Sequence, residues 1–175
     1  MNNMKELLQN GEKVQHTPRK LKTEFQPLFD EKAYCEMVEK AKHYIREGDI
    51  FQVVLSNRLE AEMEGSLLDA YRVLRTTNPS PYMFYFSGSD GEIINELEDN
   101  KRGIYGGAIG YISFTGNLDT CIAIRLAFSK NGKVFVRCGA GIVADSVPEK
   151  EYRECIQKAA AVRQALQKAQ EGMEA

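Results

Sequence analysis

From Asp30 onward apolar residues recur at spacings of three and four: Tyr34, Met37, Val38, Ala41, Tyr44 and Ile45. That period puts them on one helical face, with Asp30 as N-cap and Gly48 as stop. The period then changes to two. Phe51, Val53, Leu55, Leu59 and Ala61 alternate with Gln52, Ser56, Arg58 and Glu60, which predicts a half-buried strand. Ser66, with Asp69 at capping-box spacing, opens a second helix that turns Leu67, Ala70, Tyr71 and Leu74 inward. "TTNPSP" ends it, because each proline drives its predecessor out of the helical region. Tyr82 to Phe86 reads as a short aromatic strand, "SGSDG" (87–91) as a loop, and "EIINELEDN" as about two helical turns.

The last third predicts a β-meander closed by a helix. "IYGGAIGYISF" is strand-like, "TGN" turns the chain, and "TCIAIRLAFSK" and "KVFVRCGAGIVA" flank Asn131-Gly132. Asn-Gly between two strands is a strong hairpin signal, since both residues accept positive φ. "SVPEKEYRECIQKAAAVRQALQKAQ" starts with Ser146 and Glu149 at capping-box spacing and buries Tyr152, Cys155, Ile156, Ala159, Val162 and Leu166. Residues 1–29 are polar, aperiodic and carry Pro18 and Pro27, so they read as a flexible leader before a single domain over 30–175. The expected class is α+β, an antiparallel sheet with helices packed on it.

Composition narrows the function classes. The chain has 175 residues, enough for one core without staples, and 43% hydrophobic with 27% charged residues is ordinary for a globular protein. Its 23 basic and 25 acidic side chains create no strong field, which speaks against nucleic acid as the main partner. No apolar run approaches the roughly 18 residues of a membrane span, and the first 20 residues lack the apolar core of a signal peptide. A cytoplasmic protein is expected. Cys35, Cys121, Cys138 and Cys155 show no zinc-knuckle or redox spacing and read as reduced, mostly buried thiols.

Two constellations could carry chemistry. A two-residue loop at Asn131 and Gly132 sets Phe128 opposite Phe135 and Arg125 opposite Cys138, and opposed residues share a face. One face then holds Ile122, Ile124, Leu126, Phe128 and Phe135 as a packing surface. The other holds Cys121, Ala123, Arg125, Ala127, Cys138 and Ala140, a floor of small side chains under one guanidinium. With the bare backbone of Gly139, Ala140 and Gly141 beside it, such a guanidinium suits a carboxylate. The alternative is that Arg125 is solvated and the glycines only bend the strand. On the last helix Glu151, Glu154 and Lys158 line one stripe. Two carboxylates a turn apart can hold part of a magnesium shell; equally, Glu154 and Lys158 form an ordinary i, i+4 pair on a solvated face. His16 and His43 have no evident nucleophile partner, and "GGAIG" lies in a strand pattern rather than opening a helix.

Four segments, "GDIFQVVLSNR", "YRVLRTTNPSPYMFY", "RGIYGGAIGYISFTGNLDTCIAIR" and "GAGIVADSVPEKEYRECIQKA", together resemble the large component of anthranilate synthase, a member of the chorismate-using enzymes. The resemblance implies a lyase of tryptophan biosynthesis that converts chorismate to anthranilate and pyruvate with magnesium and with ammonia from a glutamine amidotransferase subunit. It implies that Tyr105, Arg125 and the backbone of Gly139, Ala140 and Gly141 hold substrate. It further implies that Glu151 and Glu154 bind Mg2+, that Lys158 belongs to the catalytic wall, and that Asn78, Pro79, Pro81, Tyr82 and Met83 belong to a tryptophan feedback site. The family pattern has a long stretch after the strand equivalent to "YMFYF", including a second acidic helix and a catalytic histidine; here "SGSDG" bridges it. The expectation is therefore about half of the chorismate-binding enzyme fold, truncated by an internal deletion with its junction near 87–91. Such a chain is either an impaired enzyme, an inactive or engineered folding module, or a remnant that binds chorismate or tryptophan. Loss of a packed half should expose apolar sheet and favour a homo-oligomer.

Overall fold

The structure, a computed structural model, describes residues 6, 10, 20–85, 102 and 104–171. The predicted loop at 87–91 and the helical turns at 92–100 lie outside the described residues. The first helix forms as its period requires: α1 spans Glu31–Arg46, and the Asp30 carboxylate accepts the Ala33 N–H at 2.8 Å. Its apolar stripe buries Tyr34, Val38 and Ala41. The alternating segment becomes β3, Val53–Glu64, starting two residues later than predicted, so Phe51 stands 95% exposed before the strand.

Residues 20–29 are not a free leader. β1 (Lys20–Leu21) and β2 (Gln26–Pro27) pair with β3. Buried Asn57 fastens this arm: its side-chain amide donates to the Phe29 carbonyl at 2.7 Å, and its oxygen accepts the Phe29 N–H at 3.1 Å. A buried amide costs free energy unless it is satisfied, and the arm satisfies it.

The second helix, α2, is Leu68–Thr77 and buries Ala70 and Val73. The Ser66 hydroxyl accepts the Leu68 N–H at 3.1 Å, whereas Asp69 pairs with Arg72 instead of reaching back. Residues 82–85 form no strand; they fold back on α2, with Tyr71 and Tyr85 ring centroids 6.1 Å apart. A separate hairpin follows, β4 (Ala108–Ile112) against β5 (Leu118–Ile122). The Asn131-Gly132 turn then joins β6 (Leu126–Lys130) to β7 (Lys133–Ile142), with φ of 51° and 72° at its two residues and Phe128 opposite Phe135 as predicted.

The main sheet is antiparallel, five-stranded, in the order β1-β3-β7-β6 with β2 also on β3. One face of its two long strands carries Leu59, Ala61, Met63, Val134, Val136, Cys138, Ala140 and Ile142 into the core. Tyr34 and Val38 cover that face together with residues of α3 (Pro148–Lys158) and α4 (Ala160–Glu171), among them Cys155, Val162 and Leu166. Each fully buried aliphatic side chain contributes about 1.5–3 kcal/mol relative to exposure. The predicted closing helix is thus two helices that divide at Ala159, and Ser146 accepts the Val143 N–H in a turn while Pro148 occupies the first helical position.

The faces of the hairpin strands are the reverse of the expectation. Cys138 and Ala140 are not an open floor; they lie in the helix-covered core, where small side chains let α3 approach closely. Phe128 and Phe135 stack on the opposite face with centroids 4.8 Å apart, and Ile122 and Ile124 are exposed.

Candidate functional site

Side chains on a strand alternate faces, so Arg137, Gly139 and Gly141 share the face of β7 that the helices do not cover. Across the ladder stand Arg58, Ser56 and Val54, at the same three levels. Arg137 is only 3% exposed, and its guanidinium donates to the Ser56 hydroxyl at 3.1 Å. Two cations, Arg58 and Arg137, therefore oppose each other; Glu60 accepts from Arg58 at 3.1 Å and from Lys133 at 3.1 Å.

The glycines make room for two polar side chains. A Cβ on Gly139 would lie 3.0 Å from the Tyr105 hydroxyl and 2.9 Å from the Leu55 carbonyl, and one on Gly141 would lie 2.7 Å from the Gln52 side-chain nitrogen. Burial pushes the Tyr105 phenol up, opposed by Arg102 and Arg137, so it is a neutral donor and acceptor at physiological pH. Nearby, Arg102 donates to the Val54 carbonyl at 2.9 Å.

The edge of β7 also lacks a described strand partner here. β6 pairs only as far as Arg137, so no described strand covers this edge from Cys138 to Ile142. Lys158 reaches the Gly139 carbonyl at 3.2 Å. In an antiparallel ladder a residue's N–H and C=O point to the same edge and alternate along the strand. The amides of Gly139 and Gly141 therefore face the uncovered edge, while that of Ala140 turns toward Leu55 of β3. Of the three amides expected from sequence, two turn to this edge, that of Gly139 in a buried residue and that of Gly141 in a half-buried one.

Arg125 is placed differently from the prediction. It does not stand opposite Cys138, because the ladder ends at Leu126 and Arg125 takes a left-handed φ of 54° on an exposed corner between β5 and β6. Arg137 occupies the interior position instead. The i, i+2, i+4 spacing of Arg137, Gly139 and Gly141 was a usable signal for it; the alternation that puts Gln52 on the polar face does not single it out.

A model of the chorismate binding enzymes matches residues 2–94 and 91–164. The chain belongs to that family. Anthranilate synthase component 1 of Acetivibrio thermocellus is 33% identical over 264 aligned positions that take in 79% of this chain and 53% of the relative. The Pseudomonas aeruginosa counterpart is 54% identical over 83 residues, 47% of this chain and 17% of the relative. Anthranilate synthase component I from Streptococcus pneumoniae superposes with a TM-score of 0.72 at 26% identity, covering 92% of this chain and 64% of that one. The chain spans about half the length of the curated relatives it matches. An alignment of 264 positions exceeds the 175 residues available, so the relative carries an internal stretch without counterpart here.

The remaining residues that the resemblance singled out fall in two places. Glu151 and Glu154 lie on α3 within one turn, Glu154 exposed and paired with Lys158 at 2.6 Å. Among the described residues no group of three or more His, Cys, Asp or Glu side chains could hold a metal ion. The two carboxylates fit a magnesium ion only if water and substrate oxygens supply the rest of its shell and Lys158 gives up Glu154. Asn78, Pro79, Pro81, Tyr82 and Met83 follow α2; Tyr71 donates to the Met83 carbonyl at 3.4 Å, and Tyr82 donates to Asp119 of β5, which pushes the Tyr82 phenol up to about 12. No helix among the described residues is long and apolar enough to cross a membrane.

Proposed function

We propose that this chain is an internally shortened homologue of the anthranilate synthase large component that binds chorismate against the open side of β7 and turns it over poorly or not at all. One observation carries the reading: Tyr105 and Gln52 stand over two glycines whose amides face an uncovered edge. A substrate carboxylate placed there would receive the Gly139 and Gly141 N–H groups and the Lys158 ammonium, with the Tyr105 hydroxyl as a further donor. Charge-assisted bonds of this kind are the strong ones.

Magnesium held by Glu151 and Glu154 would neutralise a second carboxylate of the substrate. The full reaction of the family's large component, chorismate and ammonia to anthranilate and pyruvate in tryptophan biosynthesis, needs groups on both walls of a pocket, because positioning and charge stabilisation must converge on the reacting atoms. On this reading the described residues would supply one wall. We assign the amidotransferase partner, a tryptophan contact at Asn78 to Met83 and a cytoplasmic location on the same footing. Self-association through the β4–β5 hairpin, where Ile112 and Ile122 are 76% and 60% exposed, belongs to the reading as well.

Titration calorimetry with chorismate in the presence of magnesium tests binding, and anthranilate fluorescence with chorismate, magnesium and ammonium salt tests turnover. Heat without fluorescence is the expected result. Absence of heat at millimolar chorismate overturns the assignment, and sustained anthranilate production overturns the claim of impairment.

A further inference from the structure

The sulfurs of Cys138 and Cys155 lie 3.3 Å apart in the core, at 3% and 0% exposure. Cys138 immediately precedes Gly139 on β7, and Cys155 immediately follows Glu154 on α3. Their contact is therefore the point at which the glycine strand meets the helix bearing Glu151, Glu154 and Lys158. We propose that Cys138 and Cys155 form a reversible disulfide that fastens this strand to this helix.

A disulfide needs the sulfurs at about 2.05 Å, so they must close by a little more than 1 Å. The proposal therefore requires a χ1 adjustment at each cysteine and a small approach of α3 to β7. A thiolate is the nucleophile, and its partner thiol stands ready beside it.

The oxidant is hydrogen peroxide. One of the two sulfurs takes a peroxide oxygen as a sulfenic acid while the O–O bond breaks and the first water leaves. The other sulfur then attacks that sulfur, the S–S bond forms as the S–O bond breaks, and a second water carries away the remaining thiol hydrogen. Two electrons pass from the thiols to the peroxide. Because both sulfurs are buried, the reaction waits on brief separation of α3 from β7, so it is slower than oxidation of the partly exposed Cys35 and Cys121.

The inference does not depend on what the site binds. Its test is hydrogen peroxide treatment of the full chain carrying Cys35→Ser and Cys121→Ser, followed by alkylation in denaturant and peptide mass mapping. The expected result is a peptide pair linked through Cys138 and Cys155, no alkylated thiol, and full reversal by dithiothreitol. Two alkylated thiols, or sulfinic acid without a link, overturn it. Should the double variant fold poorly, the same mapping on the wild-type chain decides, because the linked pair has a mass of its own whatever Cys35 and Cys121 do. Mild urea should accelerate linking; acceleration of Cys35 and Cys121 oxidation alone would also count against the proposal.

Discussion

Alternate residues of β7 live in two different solvents. Val134, Val136, Cys138, Ala140 and Ile142 enter a core closed by three helices, where every one of them is almost wholly buried. Phe135, Arg137, Gly139 and Gly141 face a side without described helices, where a guanidinium, a phenol and an amide gather around two missing side chains. The covered face spends its residues on packing, and the other leaves room. One strand therefore supplies stability and a site at once, and substitutions one position apart should separate the two.

The largest separation is expected at Ile142, which is 0% exposed. Ile142→Ala removes a branched side chain from a close-packed interior and should cost about 2–5 kcal/mol of unfolding free energy, read as a fall in the urea midpoint. Chorismate binding by whatever fraction remains folded should be unchanged. A loss of affinity larger than the loss of folded protein would show that the two faces are not independent.

Gly139→Ala probes the other face. Its Cβ would meet the Leu55 carbonyl at 2.9 Å and the Tyr105 hydroxyl at 3.0 Å, so a backbone group must shift. Overpacking of that kind costs about 1–3 kcal/mol, and displacement of Tyr105 should weaken chorismate binding by about tenfold, equivalent to about 1.4 kcal/mol. Calorimetry and denaturation on the same sample distinguish the parts. Wild-type affinity in a folded Gly139→Ala protein would remove the glycines from the site.

Tyr34 links the core to the strand behind the site, with its hydroxyl donating to the Leu55 carbonyl at 2.9 Å. Burial first, and then the nearby Cys155, raise its pKa well above the ordinary tyrosine range. The folded state therefore keeps a proton that the unfolded chain loses above about pH 10, and stability falls as pH rises past that point. The Cys138 thiol, also raised, acts in the same direction from somewhat lower pH. Tyr34→Phe should cost about 1 kcal/mol at neutral pH for the lost hydrogen bond and flatten the alkaline decline. A stability profile of unchanged slope above pH 10 would place that decline elsewhere.

Much of the architecture could be read from the chain because local signals agreed with the final packing. Asp30 caps α1, Asn131-Gly132 sets the β6–β7 register, and the stripe of Cys155, Ala159, Val162 and Leu166 is buried as its spacing requires. The two faces of β7 were misread because bulk is a poor guide to burial beside a closely packed helix: small residues bring α3 near, and large aromatics remain outside. Arg125 escapes the register that the turn predicts because the ladder ends at Leu126, where a left-handed residue breaks the alternation. The alternation puts Gln52 on the polar face with Ser56 and Arg58, but only the fold brings it over Gly141. The arm at residues 20–29 was hidden for a related reason, since two-residue strands have no period to detect.

The smallest expected effect on stability is the one that decides between the two readings of the α3 stripe. Lys158 and Glu154 form a 2.6 Å pair with side chains about half exposed, and such surface pairs contribute about 0–1 kcal/mol. Glu154→Gln should therefore leave the urea midpoint nearly unchanged, whichever reading holds. Magnesium separates them. If Glu151 and Glu154 together draw the ion to bound substrate, the strengthening of chorismate binding by magnesium should disappear in Glu154→Gln while binding without the metal persists, because Lys158 is then free to stay on the Gly139 carbonyl and the incoming carboxylate. If the stripe is only a solvated face, calorimetry with and without magnesium will give the same affinities in the variant as in the parent chain, and the acidic pair drops out of the site while the glycine strand keeps its role.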